Sequence, residues 1–451
     1  MPSDYDPFLN SHSVGYRQID ISGRLTPLSI RDQMIRGMLA IDRAKEKGLL
    51  DSPSGILVVG AGAAGSTAAM RAAELGFRVS LWDREMAPFT RHGKCSRWVD
   101  PSQYDFPVGH WRTYGLPCNP TNTNPCPLPW PAPNEAFSLS SDWRAHVDSY
   151  SAIYPQYFQL KLRREYTGII HTDETNQRVE VGFVDLDNGS QATETFSFVI
   201  RAMGFGEERC SLVLGDKSLH PFRGYGFWAK DPFDYSRGTL DWNGNRPRVL
   251  ISGCGDGALQ DYLRLSTRMN TAREIWDAMA LSNVPNIDEI IKNLQDAEDQ
   301  AARSLAWGAG ENHDHPVLES LHDAYRMAAS EIFNSSNGIE QKIDQMLRDD
   351  IESISVAHAC EHFSVCYSLN HLLALLVMNR WEARMTGSSS APSHLPNTLV
   401  VGIKCQGHAA GDPSVCHLNI NVVRFKKNRT CHQLRDTPAY ASIDDRLARR
   451  V

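Results

Sequence analysis

Residues 56–84 read ILVVGAGAAGSTAAMRAAELGFRVSLWDR. Residues 56–59 are a short apolar run of the kind a strand buried on both faces needs. Gly60, Gly62 and Gly65 then give G-x-G-x-x-G spacing, followed by an Ala-rich helical stretch over 66–75, Gly76, and a second strand over 78–82 that ends at Asp83. Each part has a physical task. Gly60 permits a tight turn, Gly62 lets backbone approach a pyrophosphate, and Gly65 lets helix and strand pack closely. The helix N-terminus offers unpaired N–H groups and a positive dipole end to phosphates, and Asp83 can accept hydrogen bonds from a ribose. Strand, turn, helix, strand and acid all fall at the required offsets, so the segment predicts a dinucleotide site. Its candidate residues are Gly60, Ala61, Gly62, Ala63, Ala64, Gly65, Asp83 and the neighbouring Arg84.

The bulk composition narrows the class. A chain of 451 residues exceeds one compact core and fits two or three domains. Apolar and charged fractions of 41% and 22% are those of a globular protein in water. The formal net charge of −7 argues against nucleic acid as the partner, and the run RFKKNR at 424–429 reads as a solvated strand end. No run of 18 apolar residues exists, and the N-terminus lacks a basic-then-apolar leader, so the expectation is a cytoplasmic protein that does not engage membranes. None of the ten cysteines forms a C-x-x-C pair, which removes the usual zinc knuckle and redox dithiol. Cys360 and Cys366 fall in what reads as an apolar helix, as small core residues.

Around the glycine motif the chain is organised as follows. Residues 1–25 read as irregular. Residues 29–50 read as an amphipathic helix, with Ser29 and Asp32 as a capping pair and Met34, Ile35, Met38, Leu39 and Ile41 as its apolar stripe. From 84 to about 140 regular structure is sparse: seven prolines lie from 117 to 133, and the segment also holds Trp98, Tyr104, Phe106, Trp111, Tyr114 and Trp130. Prolines forbid helix interiors there, while buried aromatics imply an ordered, functional loop. From 166 to 206 the period becomes two. Val179, Val181 and Phe183 alternate, Asp187-Asn188-Gly189 turns the hairpin, and a return strand over 195–200 runs into Arg201-Ala202-Met203-Gly204-Phe205-Gly206. Residues 248–252 make another apolar strand, followed by Gly253-Cys254-Gly255-Asp256-Gly257-Ala258 and a helix. The stretch 270–386 reads as helical, with 363–378 as a buried central helix, and strands over 398–403 and 415–425 close the chain.

The order of these parts resembles that of the two-dinucleotide flavoproteins, the glutathione-reductase-like enzymes and class B flavin monooxygenases, over residues 55–265. The resemblance implies an α/β fold: a Rossmann-type FAD-binding domain with a β-meander, and a second Rossmann-like unit carrying a large helical insertion. It implies boundaries at 1–54 (N-terminal extension), 55–210 (FAD domain), 211–268 (second nucleotide unit), 269–390 (helical domain) and 391–451 (C-terminal strands). By the same resemblance the first motif holds FAD, and Ala202-Met203-Gly204 matches the turn that returns the chain to the flavin, placing Met203 and Gly204 beside it. Gly253, Gly255 and Ala258 match the NAD(P)H turn, and Trp98, with Tyr104 and Trp111, the aromatic wall of a small-molecule substrate site. Two departures matter. No cysteine pair suits a disulfide reductase, and the monooxygenase pattern F-x-G-x-x-x-H-x-x-x-(W/P) is met by Phe222, Gly224 and Pro232 but has Trp228 where histidine belongs.

The function expected is therefore an FAD-dependent oxidoreductase acting on a small organic substrate, monooxygenase- or oxidase-like, with NAD(P)H as candidate donor. Three alternatives stay open: a non-catalytic FAD or NAD(H) sensor, a second glycine turn that binds nothing, and an S-adenosylmethionine methyltransferase, against which Ser252 stands where that family carries an acid. The pattern leaves room for a homo-oligomer. No catalytic acid or base is legible. Nor is a metal set: His313 and His315 flank Asp314 in a polar loop, and His358 and His362, read as an i, i+4 helical pair, have no third ligand in view.

Overall fold

The structure, a computed structural model, describes residues 6–22, 29–50, 55–101, 103–106, 126–204, 206, 211–212, 222–223, 225–230, 233, 246–253, 255–308, 316–358, 360–363, 366–385, 392–406 and 417–424. Its residues fall into two compact units, one built from 1–101 with 114–207 and the other from 102–113 with 208–451.

The first unit begins with α1 (Pro7–His12), β1 (Ser13–Gly15), β2 (Gln18–Asp20) and α2 (Ile30–Glu46), then β3 (Ile56–Val59), α3 (Ala63–Glu74) and β4 (Val79–Trp82). It continues through a two-strand ribbon, β5 (Trp98–Val99) with β6 (Asn134–Glu135), to α4 (Ala136–Ile153), β7 (Phe158–Lys161), the meander β8 (Arg164–Asp173), β9 (Arg178–Asp185) and β10 (Gln191–Phe196), and finally β11 (Phe198–Arg201). Six strands form one sheet in the order β1-β2-β11-β3-β4-β7, parallel throughout except for β1. β3 and β4 are buried at every position, as their unbroken apolar runs require.

Helix α2 starts where its capping box predicts: the Ser29 hydroxyl accepts from Asp32 N, and the Asp32 carboxylate accepts from Ser29 N. It packs on α3 at Gly37, where a Cβ would stand 2.4 Å from Ala64 O. Between the helices Arg71 donates to Asp42 at 2.9 Å. Residues 1–25, expected to be irregular, contribute β2 to the sheet; three residues are too few to show a period.

The meander forms its own antiparallel sheet in the order β10-β9-β8, with residues 186–190 turning the hairpin as expected. The return strand differs from its sequence reading. It breaks at Ser197, whose N–H and hydroxyl both donate to Gly55 O, so 191–196 stay in the meander while 198–201 enter the main sheet. Val179, Val181, Phe183 and Phe196 cover Leu57, Val59 and Trp82, with Phe183 edge-on to Trp82 at 4.8 Å between ring centres. Helix α4 and strand β7 were not read from sequence. The described part of the proline-rich stretch, from 126, is anchored on α4: the Trp143 indole donates to Pro129 O at 2.6 Å, and Leu128 and Trp130 are fully buried. Trp111 and Tyr114 lie outside the described residues.

The second unit contains β12 (Ser211–Leu212), β13 (Phe222–Arg223), β14 (Arg248–Ser252), α5 (Asp256–Ser266), α6 (Ala272–Ala278), α7 (Ile287–Gly308), α8 (Pro316–Ser335) and α9 (Ile339–Met346). After these come β15 (Ser353–Ala357), α10 (Ser368–Met385), β16 (His394–Leu395), β17 (Thr398–Gln406) and β18 (His417–Arg424). Strand β15 overturns the all-helical reading of 270–386: it pairs parallel with β14 from Arg248↔Ser353 to Ser252↔Ala357, and β16 pairs parallel with β15. Helices α6 to α9 thus enter between α5 and the next parallel strand, an insertion into a Rossmann-like β-α-β unit. Helix α10 is the buried central helix, with Leu369, Leu372, Leu373 and Leu376 fully enclosed, but it starts at Ser368. Cys360 and Cys366 therefore lie in the loop before it. The two expected closing strands are β17 and β18, which pair antiparallel. No helix among the described residues is long and apolar enough to cross a membrane.

Replacing a helical glycine by alanine ordinarily gains about 1 kcal/mol. At Gly37 we expect the opposite sign, a loss of about 1–3 kcal/mol from the collision with Ala64 O, while Lys45→Ala on the exposed face of α2 stays within about 0.5 kcal/mol. Urea unfolding of the two variants decides it; a stabilised Gly37→Ala would mean the α2–α3 contact is looser than described.

Candidate functional site

In the first unit three backbone segments meet at the C-terminal edge of the parallel strands. β3 ends at Gly60, whose φ of +105° lies where only glycine is comfortable. A Cβ there would stand 2.3 Å from Ala202 O and 3.2 Å from the Met203 α carbon; one at Gly65 would stand 1.9 Å from Gly60 O. Ala202 N donates to Val59 O and Gly60 N to Trp82 O, each at 2.7 Å. The turn after β11 is in this way laid directly against the glycine-rich turn. Gly62 is different in kind. It is the N-cap of α3, its backbone is extended, no side chain caps the helix, and a Cβ placed there would meet nothing within 4 Å. The N-terminus of α3 is thus free of a side-chain cap and has open space at its cap residue, which is what an anion at a helix N-terminus requires.

Asp83 stands at the end of β4 and does more than the sequence reading assigned. One carboxylate oxygen accepts from Ala61 N at 2.5 Å and the other from Glu85 N at 2.9 Å. Burial pushes its carboxyl above the usual value of 3.8, against the pull of those two N–H groups. Each oxygen keeps a second lone pair, so a ribose hydroxyl can still be accepted while the turn is held. Arg84 is exposed and paired with Glu85 at 3.7 Å. Met203 is half exposed beside the turn, and Gly204 has a φ of +71°. Trp98 lies on β5, half-buried, opposite Glu135. Of the expected aromatic wall, Tyr104 belongs to the second unit, where its ring lies 4.4 Å from that of Tyr367.

The second glycine turn is also a strand–turn–helix. Gly253 has a φ of +149° and donates to Ala357 O at 3.0 Å, a Cβ at that glycine would touch Ala258 Cβ at 3.4 Å, and Gly255 caps α5. Asp256, at the first position of α5, was missed by sequence reasoning as anything but a turn residue. Its carboxylate accepts from Asn370 Nδ2 on α10 at 2.6 Å, from Tyr367 N just before α10 at 3.2 Å, and from Gln260 Nε2. Burial raises it to about 6. Cys254, Gly224 and Pro232 lie outside the described residues; Trp228 packs edge-on to Phe227 at 4.8 Å.

The histidine expectation needs correction. His358 follows strand β15 and His362 lies in the loop beyond it, so they are not an i, i+4 helical pair. His313 and His315 lie outside the described residues.

Residues 58–115 match the NAD(P)-binding Rossmann-like domain family. A search of curated protein sequences finds no match. Among solved structures, the chain aligns with a flavin monooxygenase from Stenotrophomonas maltophilia at 18% identity, covering 46% of this chain and 53% of that one, with a TM-score of 0.28. It aligns with the thioredoxin reductase of T. acidophilum at 12% identity over 82% and 73% of the two chains, with a TM-score of 0.32. A third alignment, to the flavin-dependent monooxygenase PieE in complex with FAD and substrate, has 15% identity, 32% and 29% coverage and a TM-score of 0.23. The chain thus spans about half the length of the first of these and under a third of the last.

The raised Asp83 carboxyl has a definite pH signature. A carboxyl held above its unfolded value contributes stability that is complete below 3.8 and lost as pH rises through the raised folded value. Asp83→Asn removes this titration, so the stability difference between wild type and variant should change across that acidic window and be flat at higher pH. Parallel unfolding profiles for the two proteins from pH 3 to 7 would show that Asp83 is not strained by burial.

Proposed function

We propose that this chain is an FAD-dependent oxidoreductase of the two-dinucleotide type, acting on a small organic substrate. The observation that carries the reading is the uncapped helix at Gly62, open to a phosphate, with the Ala202-Met203-Gly204 turn pressed against the same glycine-rich turn. A nucleotide half-site needs only the first of these features. A meander that delivers a second backbone turn to the same edge, with Met203 half exposed, suits a longer cofactor whose far half must also be held. Gly60 to Gly65 would bind the pyrophosphate through backbone N–H groups, Asp83 the adenosine ribose, and Met203 with Gly204 the flavin side. Bound there, the flavin supplies the hydride or electron transfer; the protein orients it and excludes water.

NAD(P)H at Gly253, Gly255 and Ala258 is the matching proposal for the electron donor. A reading in which the second turn binds no nicotinamide, as in an oxidase or a nucleotide sensor, is favoured by Asp256, whose negative charge sits at the helix end a pyrophosphate would occupy.

The absorbance spectrum of the purified protein, with its released cofactor identified, tests the main reading. We expect a flavin spectrum and released FAD; a colourless protein that retains NAD(H) overturns the flavin assignment. Gly62→Val should fold normally, since its backbone is extended and a side chain meets open space, yet weaken cofactor retention by at least about tenfold, or about 1.4 kcal/mol. Unchanged flavin content in that variant moves the cofactor elsewhere. Anaerobic NADH or NADPH then separates the two readings of the second turn: bleaching of the flavin requires a nicotinamide site, and an unbleached flavin that oxygen still reoxidises after substrate addition marks an oxidase.

A further inference from the structure

Between β4 and β5 the chain of the first unit returns to the glycine-rich turn. Phe89 N donates to Ala61 O at 3.0 Å, so the segment is tied to the turn itself. Helix α4 then fixes it in place. Phe89 is buried with its ring 5.3 Å from that of Trp143, and Arg144 Nε donates to Pro88 O at 2.8 Å. Gly93 packs so tightly that a Cβ there would stand 2.6 Å from Arg144 Nη2. Gly93 N donates to Phe89 O at 3.0 Å, which closes a turn with Arg91 at its middle. Arg91 is exposed, and its Nη2 donates to Gly206 O at 2.6 Å. Gly206, with a φ of +80°, follows the same β11 turn whose Ala202 lies against Gly60. Arg91 therefore bridges the glycine-rich turn and the turn after β11.

We propose that Arg91 is a phosphate-binding residue of this site, its guanidinium supplying the cationic donors for the pyrophosphate of the bound dinucleotide. The assignment rests on the dinucleotide reading of the turn from Gly60 to Gly65. Charge is the first argument. A pyrophosphate diester carries a negative charge on each phosphate at neutral pH, against which the N-terminus of α3 offers roughly half a positive charge. The neighbouring side chains do not make up the difference. Asp83 is itself an acid, and Arg84 is paired with Glu85 at 3.7 Å. Burial, and then the adjacent Arg91 guanidinium, hold His92 at about 4, so its imidazole is neutral at pH 7. Lys94 adds a second exposed cation one turn along the segment. Arg91 is the cation tied to both turns.

Donor geometry is the second argument. A guanidinium carries five N–H donors in a planar fork matched to phosphate oxygens. Gly206 O takes one of them, and among the described residues no carboxylate pairs with Arg91. The distinction matters. A carboxylate partner would fix the fork but also cancel its charge, whereas a carbonyl fixes it and leaves the charge uncompensated. Charge-assisted pairing of such a fork with phosphate is stronger than a neutral hydrogen bond and sets orientation as well. Preorganisation is the third argument. An exposed arginine ordinarily gives up rotamer freedom when it grips a ligand. Here Phe89 is already bonded to Ala61, Pro88 and Gly93 are already seated on α4, and the side chain is already held at Gly206. Little ordering remains to oppose binding.

The test titrates the full-length apoprotein with FAD and, separately, with ADP, the fragment that FAD and NAD(H) share, at low and at high ionic strength. Arg91→Gln should weaken both ligands about ten- to a hundredfold, as expected for hydrogen bonds to a charged group. Arg91→Lys, which keeps the charge, should recover most of that loss. Arg178→Gln, an exposed cation on β9, should stay within about twofold of wild type. Salt separates a phosphate contact from a mere brace: wild-type affinity should fall as ionic strength rises, and that of Arg91→Gln should fall less. Equal affinity of wild type and Arg91→Gln overturns the assignment. So does a loss that Arg91→Lys does not recover and that leaves the salt dependence unchanged, since Arg91 would then only brace Gly206. Should Arg91→Gln fail to fold, a wild-type affinity insensitive to salt overturns it alone. A chain that takes up ADP but not FAD refutes the flavin reading, while the ADP titration still reads Arg91. A chain that binds neither has no dinucleotide site at this turn, and the proposal falls with it.

Discussion

The first unit depends on backbone approaching backbone at distances no side chain permits. Gly60, Gly65 and Ala202 are stacked so that a Cβ on either glycine would fall within 2.3 Å of a carbonyl oxygen. The contact lets α3 begin immediately above the strand ends, and it lets β11 finish against β3 with its turn already at the same edge. Everything with a chemical role follows from that closeness. The open cap at Gly62 faces out because the two flanking glycines allow the helix to sit so low. Asp83 reaches Ala61 N because β4 ends one strand away, hydrogen-bonded to Gly60 through Trp82 O. Residues with side chains at 60 or 65 would lift the helix and part Asp83 from Ala61 N.

The same constraint explains what the chain reveals when read as letters. Glycines at 60 and 65 are legible because no residue with a side chain fits those positions, Gly62 by its spacing between them, and β3 and β4 are legible because strands buried on both faces must be apolar throughout. The capping box of α2 is equally local. Strands β2, β7 and β15 were not legible. Each is three to five residues long and carries polar residues, and their strand character comes from pairing with segments far along the chain. β15 in particular is embedded among helices, and its pairing with β14 and β16 makes it a strand. The break at Ser197 is a similar case, since it is set by Gly55 O and by nothing in its own neighbourhood.

The candidate site divides along the same line. Its backbone elements were visible in the spacing, whereas the second task of Asp83, holding Ala61 N, was not. The histidines show the limit most clearly. His358 and His362 looked like a helical pair because their spacing fits one, yet the partners of His358 and His322 are His394 and His371, supplied by β16 and α10. No local pattern links positions 322 and 371. Only the packing of α10 against α8 does.

Both units use a strand, a glycine turn and a helix, and the acid in each turn separates their consequences. Asp83 lies at a strand end, below the turn, and spends its charge on backbone N–H groups while the N-terminus of α3 stays positive and uncapped. Asp256 occupies the first position of α5 itself and binds Asn370 and the backbone of Tyr367, so the positive end of that helix is partly cancelled from within. A carboxyl raised to about 6 is mostly ionised at neutral pH, so the cancellation persists there. The cap of the first turn thus carries no side chain while Asp256 at the second fastens α10, and a phosphate at the second turn would have to compete with a carboxylate that is already hydrogen-bonded in place.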